Sequence, residues 1–176
     1  ANEGTARVYA LEDGIASIGL RPMTVYGVGR DQGLTSTPTT AIAAAVLGKP
    51  YRISFTGTTL FQYAEDVAAT LLAASRSGLD GANVFNLGGN SVDIESWIAA
   101  IEQVVPEAAG TISRADAVLP FPADIAHDAI AVLGSAPVTP YRQGIAATVE
   151  ILRALLARGR LVATQQGLQE ESPSST

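Results

Sequence analysis

The sequence contains no cysteine, one histidine, one lysine, one methionine and one tryptophan in 176 residues. Without cysteine there is no disulfide, no thiolate metal site and no thiol nucleophile. A single histidine, His127, leaves room for a Ser-His-Asp arrangement but not for a multi-histidine metal centre. Ser36, Ser54 and Ser91 lack the Gly-x-Ser-x-Gly setting of a hydrolase nucleophile. Charge is scarce as well: 16% of residues are charged and the net charge is −6. The clustered Lys and Arg that neutralise nucleic-acid phosphates or an acidic membrane surface are therefore missing. No apolar run reaches membrane-spanning length and no signal-peptide pattern is visible. The expectation is a cytoplasmic protein that binds neither nucleic acid nor membrane.

Apolar residues are abundant instead, at 47%, and the length suffices for one domain with a real core. Two chain regions are predicted: residues 1–163 as the folded portion, and 164–176, polar and without periodicity, as a mobile tail. The chain begins with Ala, and Asn2 to Leu11 reads as the later part of a helix with no start signal, which predicts a fragment. Gly14 is the predicted stop of that helix. The stretch Ala16 to Gly33 then reads as a buried strand, Ile15 to Leu20, opening into a loop with Gly27, Gly29 and Gly33. A strand that ends in such a loop is a usual place for a ligand.

Further along, Thr37 and Pro38 predict the start of a small, buried helix, Thr39 to Leu47, ended by Gly48. Tyr51 to Phe55 alternates as a short strand and Thr56 to Thr59 as a turn. Glu65 and Asp66 suit the positive end of a helix running to about Ser77, with Asp66 as its capping or dipole partner. Val84 to Leu87 reads as a strand closed by Gly88 and Gly89. Ser91 is the predicted cap of a helix on which Ile94, Trp97, Ile98, Ile101 and Val105 share a face, making Trp97 a core anchor. A short strand is expected at Thr111 to Ser113, and a helix from Asp124 to Leu133 with His127 on its surface. The last helix is expected to have Thr139 as cap and Pro140 first, burying Tyr141, Ile145, Val149, Leu152 and Leu156. Strands alternate with helices, so the class is α/β with mainly parallel pairs.

Four stretches, in order, resemble the extended short-chain dehydrogenases/reductases, the NAD-dependent epimerase/dehydratase family. They are Leu20-Arg21-Pro22-Met23-Thr24-Val25-Tyr26-Gly27-Val28-Gly29-Arg30, Phe61-Gln62-Tyr63-Ala64-Glu65-Asp66-Val67-Ala68, Asn83-Val84-Phe85-Asn86-Leu87-Gly88, and Leu133-Gly134 followed by Pro137 to Ile145. The resemblance implies the C-terminal, substrate-binding portion of a Rossmann-like fold whose intact parent uses NAD or NADP. It places Pro22 and Val25 beside the nicotinamide, and Thr24, Arg30, Thr59, Phe61 and Gln62 around a small-molecule substrate, a sugar or related carbinol. In that family the opening helix often packs in a subunit interface, which implies a homo-oligomer with Val8, Tyr9 and Leu11 against a partner protomer.

The departures are informative. Each tyrosine (9, 26, 51, 63 and 141) is followed four positions later by Asp13, Arg30, Phe55, Val67 or Ile145, so the family's Tyr-x-x-x-Lys pair is absent. The phosphate-binding Gly-x-x-Gly-x-x-Gly loop is absent as well. Gly27-x-Gly29-x-x-x-Gly33 follows a strand, but Leu34 to Thr37 separates it from the next helix and no acid closes the following strand, so a turn and substrate-loop role competes with a dinucleotide one. No residue is assigned as catalytic or metal-binding, and the chain by itself is expected to hold no cofactor tightly and to catalyse no hydride transfer. Where sugar-nucleotide epimerases usually carry Asn and Arg, this chain has Thr24 and Thr59, and it has no arginine around Pro120-Phe121-Pro122. Charge-assisted bonds to phosphate are the strong ones, so their loss points away from a nucleoside-diphosphate sugar. An exposed Arg30–Asp31 surface pair and a free-standing, non-catalytic binding or assembly module are the competing readings.

Overall fold

The computed structural model describes residues 2–120, 122–127 and 129–161. The predicted tail at 164–176 and Phe121 of the Pro120-Phe121-Pro122 stretch lie outside them. The elements are α1 (Asn2–Glu12), β1 (Ser17–Arg21), β2 (Thr24–Tyr26), α2 (Thr37–Val46), β3 (Tyr51–Ile53), β4 (Thr58–Tyr63), α3 (Ala64–Arg76), β5 (Ala82–Asn86), β6 (Asn90–Asp93), α4 (Ile94–Val104), β7 (Ile112–Arg114), α5 (Ala129–Leu133) and α6 (Tyr141–Ala157). β1 pairs with β5 and β3 with β7, both parallel. β2 runs parallel to β4, whose other edge takes β6 antiparallel. The α/β class with mainly parallel pairs is thus borne out.

The main core forms where α2, α4 and α6 close on the β2–β4–β6 sheet. α2 is built of Ala, Thr and Ile with no charged residue, and Pro38 through Ala45 are all buried. α4 presents Ile94, Trp97, Ala100 and Ile101 inward at helical spacing, and Trp97 is fully enclosed as predicted. Its ring stacks on Phe61 with centroids 4.0 Å apart and meets Tyr26 edge-on at 4.7 Å. Gly144, on α6, lets Tyr26 reach its place: a Cβ there would stand 2.0 Å from the Tyr26 hydroxyl. A second, smaller cluster lies under β1 and β5, where Phe85, Leu87 and Ala129 gather Ile18, Leu20, Val67 and Leu133.

Several predicted boundaries shift for identifiable reasons. The strand expected at Ile15 begins at Ser17; Ile15 is 54% exposed, and β1 is half-buried rather than buried. Thr24–Tyr26, expected as loop, is a strand because it pairs with Phe61–Tyr63, and Thr58 and Thr59 belong to β4 rather than to a turn. α2 begins at Thr37 with Ser36 before it; the Thr37 hydroxyl is engaged with Ser54 instead of capping. Ser91 lies in β6, and the cap of α4 is Asp93, whose carboxylate accepts from the Ser96 N–H at 2.8 Å. The helix expected from Asp124 is confined to Ala129–Leu133, since 122–127 is irregular and held by side chains of β5 and β6. On α6, Leu156 is 39% exposed and Thr148 is buried in its stead.

Candidate functional site

β1 and β5 end side by side, at Arg21 and Asn86, and β2 and β4 at Tyr26 and Tyr63. The carboxyl ends of parallel strands are where α/β folds receive ligands. Pro22 stands exposed just past β1, and Val25 is half-buried on β2. These two present apolar surface at a strand end. Thr24 and Thr59 are fully buried, and their hydroxyls bond each other at 2.9 Å.

Gln62, at 2% exposure, is held by backbone groups of two segments. Its Oε1 accepts from the Met23 N–H at 2.7 Å and its Nε2 donates to the Leu87 carbonyl at 2.8 Å. It ties the segment after β1 to the segment after β5, and both ends of its amide are used. Phe61 is likewise committed, wholly buried against Trp97. Of the five residues implied around a substrate, Arg30 is the one charged side chain. It is half-buried in the loop after β2, where its Nη2 donates to the Thr35 hydroxyl at 3.3 Å. A Cβ on Gly33 would come within 3.3 Å of both terminal nitrogens, so the guanidinium lies against bare backbone. No carboxylate forms an ion pair with Arg30 among the described residues, whereas Arg114, the other half-buried arginine described, is paired with Glu95 and Asp116.

The structure brings Thr24, Thr59, Phe61 and Gln62 together on the β2–β4 pair and sets Arg30 on the adjoining loop. Beside them a cleft opens between Gln62, Asp66, Leu87, Asn90, Pro137 and Val138. Its polar side chains are all engaged. Asp66 does not cap its own helix; its carboxylate accepts from the N–H and the hydroxyl of Thr139 at 2.6 and 2.8 Å. Asn90 donates to the Thr139 carbonyl at 2.8 Å and accepts from the Tyr141 N–H. Thr139 therefore serves as the anchor of α6. His127 is exposed, as predicted, but sits off any helix, over the Gly88 turn, where a Cβ would meet its ring at 2.8 Å.

Burial pushes the phenols of Tyr26 and Tyr63 above the ordinary range, and the charges of Asp66 beside Tyr26 and Glu65 beside Tyr63 add to it. A proton-abstracting tyrosine needs the opposite environment, one that favours the phenolate. Both environments therefore disfavour the phenolate. Among the described residues there is no group of three or more His, Asp or Glu placed to hold a metal ion. No helix among them is long and apolar enough to cross a membrane.

Solved structures share this arrangement. The chain matches UDP-glucuronic acid 4-epimerase from Bacillus cereus, solved with UDP-glucuronic acid and NAD, at 25% identity and a TM-score of 0.70, over 87% of this chain and 50% of that one. It is similar to the Bordetella bronchiseptica enzyme WbmF in complex with NAD+, at 20% identity and 0.69, over 94% and 54%. It is also similar to a partial consensus L-threonine 3-dehydrogenase, at 20% and 0.75, over 86% and 53%. This is the fold of the extended short-chain dehydrogenases/reductases, about half of it. The chain spans about half the length of each of these structures. No family profile matches it, and no curated protein does.

Sequence patterns alone could not separate Gln62 and Phe61 from ligand contacts, because a buried amide and a stacked ring look the same in one dimension as exposed ones. The Asp66–Thr139 contact joins residues 73 positions apart, beyond any periodicity. The one local signal was the second glycine of Gly88-Gly89, where a Cβ would lie 2.5 Å from the Phe61 carbonyl oxygen.

Proposed function

We propose that this chain is the substrate-binding portion of an NAD(P)-dependent sugar epimerase, dehydratase or dehydrogenase-like oxidoreductase, and that it is inactive alone. The observation that carries the reading is the half-length match to NAD-bound epimerases in a sequence with neither Tyr-x-x-x-Lys nor a glycine-rich phosphate loop. The residues present fit only part of a dinucleotide. Pro22 and Val25 offer an apolar edge suited to the nicotinamide, and NAD or NADP when bound supplies the hydride acceptor. The loop Gly27 to Gly33 is separated from α2 by Leu34 to Ser36, and Arg30 rather than free backbone fills the space beside Gly33. The pyrophosphate thus falls to the other half of the parent enzyme.

On the substrate side, Thr24 and Thr59 satisfy each other in the buried interior, and Arg30 is the one cation. That set suits a small sugar, sugar acid or other carbinol better than a nucleoside-diphosphate sugar, whose two phosphates call for several cations. The exposed face of α1, with Val8 at 49%, Tyr9 at 51% and Leu11 at 86%, fits a homo-oligomer in the cytoplasm. The commitment of Gln62, Phe61, Thr24 and Thr59 to internal contacts favours a second reading, a non-catalytic assembly module. A turnover assay of the chain alone with NAD or NADP and sugars, sugar acids and small carbinols is expected to stay at blank. A rate above blank, or tight NAD binding by this chain alone, overturns the proposal.

A further inference from the structure

The ladder between β1 and β5 follows one rule from end to end. The Ser17 N–H donates to the carbonyl of Gly81, the residue before its partner Ala82, and the Arg21 carbonyl accepts from the N–H of Leu87, the residue after its partner Asn86. This is the evenly spaced, slanted pattern of a parallel pair. Continued by one more rung, it sends the Met23 N–H to the Leu87 carbonyl. Instead, those two backbone groups are bonded to the two ends of one side chain. The Gln62 carboxamide stands in the gap, its Oε1 accepting from the Met23 N–H at 2.7 Å and its Nε2 donating to the Leu87 carbonyl at 2.8 Å. A primary amide carries the same donor and acceptor as a peptide unit, so it can extend a ladder where the backbones part.

Gln62 reaches this gap from the neighbouring sheet. It lies on β4 opposite Val25, and Thr24 lies opposite Phe61, so the chain leaves β5 after Arg21 and joins β4 at Thr24. Between the two pairings stand Pro22, which has no N–H, and Met23, whose N–H is the one that Gln62 takes. Room for the amide comes from the other crossing, after β5. A Cβ on Gly89 would lie 2.9 Å from the Gln62 Cγ and 2.5 Å from the Phe61 carbonyl oxygen. The φ of Gly89 is not positive, so space rather than conformation calls for glycine there.

We infer that Gln62 is a positioning residue: its amide, inserted as an extra rung, holds the carboxyl ends of β1 and β5 apart and so sets the place of Pro22 on the nicotinamide side of the crevice. What the opening serves rests on the oxidoreductase reading. Crevices at the carboxyl ends of parting parallel strands are where α/β folds take ligands. Here one side chain fixes the parting. Without the amide, the Met23 N–H and the Leu87 carbonyl satisfy each other directly, because buried backbone groups do not stay unpaired. The ladder then closes by one rung, Pro22 is drawn toward β5, and the apolar edge that Pro22 and Val25 offer a nicotinamide ring is displaced.

Scalar couplings across hydrogen bonds, measured by NMR in the isotope-labelled chain, test the inference. The wild-type chain is expected to show coupling from the Met23 amide nitrogen to the Gln62 side-chain carbonyl carbon and from the Gln62 side-chain nitrogen to the Leu87 carbonyl carbon, with none from Met23 to Leu87. In Gln62→Ala the Met23–Leu87 coupling is expected to appear. Gln62→Thr, suited to a strand and too short to bridge, is expected to show it as well and serves if the alanine variant does not fold. Nicotinamide mononucleotide in large excess is expected to shift the Val25 amide signal in the wild-type chain, and either variant is expected to lose that shift. A direct Met23–Leu87 coupling in the wild-type chain overturns the inference, as does absence of both Gln62 couplings where the Leu87-to-Arg21 rung is seen. A folded variant in which Met23 and Leu87 stay uncoupled, or which keeps the nucleotide shift, overturns it too. The expected couplings in wild type and variant, with no nucleotide shift in either, support the inserted rung and sink the oxidoreductase reading instead.

Discussion

Two parallel strand pairs sit side by side in this molecule and fare differently. β2 and β4 pair over three residues and are enclosed by α2, α4 and α6, so that Tyr26 and Phe61 are wholly out of water. β1 and β5 pair over five residues, the longer register, yet every residue of β1 retains contact with solvent or its rim. Hydrogen bonding along a strand does not enclose it; layers above and below do. α1, which lies over the longer pair, buries no residue of its own. The chain is thus a closed body carrying an open ribbon.

Substitutions can break that contrast where it is strongest. Trp97→Ala removes the ring around which Tyr26, Phe61 and Tyr141 are arranged, and should cost about 3–5 kcal/mol in denaturant unfolding. Gly144→Ala improves helix propensity by about 1 kcal/mol but drives a methyl into the Tyr26 hydroxyl, and overpacking of about 1–3 kcal/mol or more dominates. Chemical denaturation should show a net loss. A gain would mean that α6 can slide away from β2.

Smaller effects sharpen the comparison. Asp66→Ala frees Thr139 and should weaken the body by about 2 kcal/mol, read as faster amide exchange in the first turn of α6. Asp93→Ala removes the α4 cap at a cost of about 1 kcal/mol. The hydroxyl and N–H of Ser96 hold the Asp93 carboxyl below its ordinary value. That contribution is therefore full above the unfolded value near 3.8 and is lost as pH falls through the lower, folded one. Between neutrality and pH 5, Asp93→Ala and the parent chain should differ by a constant amount in melting experiments, converging only at stronger acid. At the far end, Glu3→Gln on the ribbon breaks an exposed ion pair with Arg21 and should leave the transition unmoved.

The closed body was far more legible in one dimension than the ribbon or the joints. α4 could be read from Ile94, Trp97 and Ile101 because three turns of helix repeat the apolar period, and α2 from a run of Ala and Thr too apolar for a surface. β3 and β7, each three residues long, were anticipated at Tyr51 to Phe55 and Thr111 to Ser113, but β2, equally short and set between Pro22 and a glycine loop, was not. β6 was hidden for a related reason: Ser91 is an excellent cap in isolation, and only pairing with β4 makes it a strand residue. At the candidate site, the sequence did not disclose what the side chains of Phe61 and Gln62 touch within the fold. Phe61 and Gln62 are near the strand ends as expected, but their partners, Trp97 and Leu87, lie 36 and 25 positions away. Arg30 was legible as a charged residue in a glycine loop. That it forms no ion pair among the described residues was not.

Gln62 carries a consequence for any redesign of the joint between ribbon and body. One end of its amide must accept a hydrogen bond from the Met23 N–H and the other must donate one to the Leu87 carbonyl, so the link has a polarity. Glutamate, nearly identical in shape, would set a carboxylate oxygen against the Leu87 carbonyl, and methionine would leave both backbone groups without a counterpart. Of these three side chains of similar length, the primary amide alone carries a permanent acceptor for one neighbour and a permanent donor for the other.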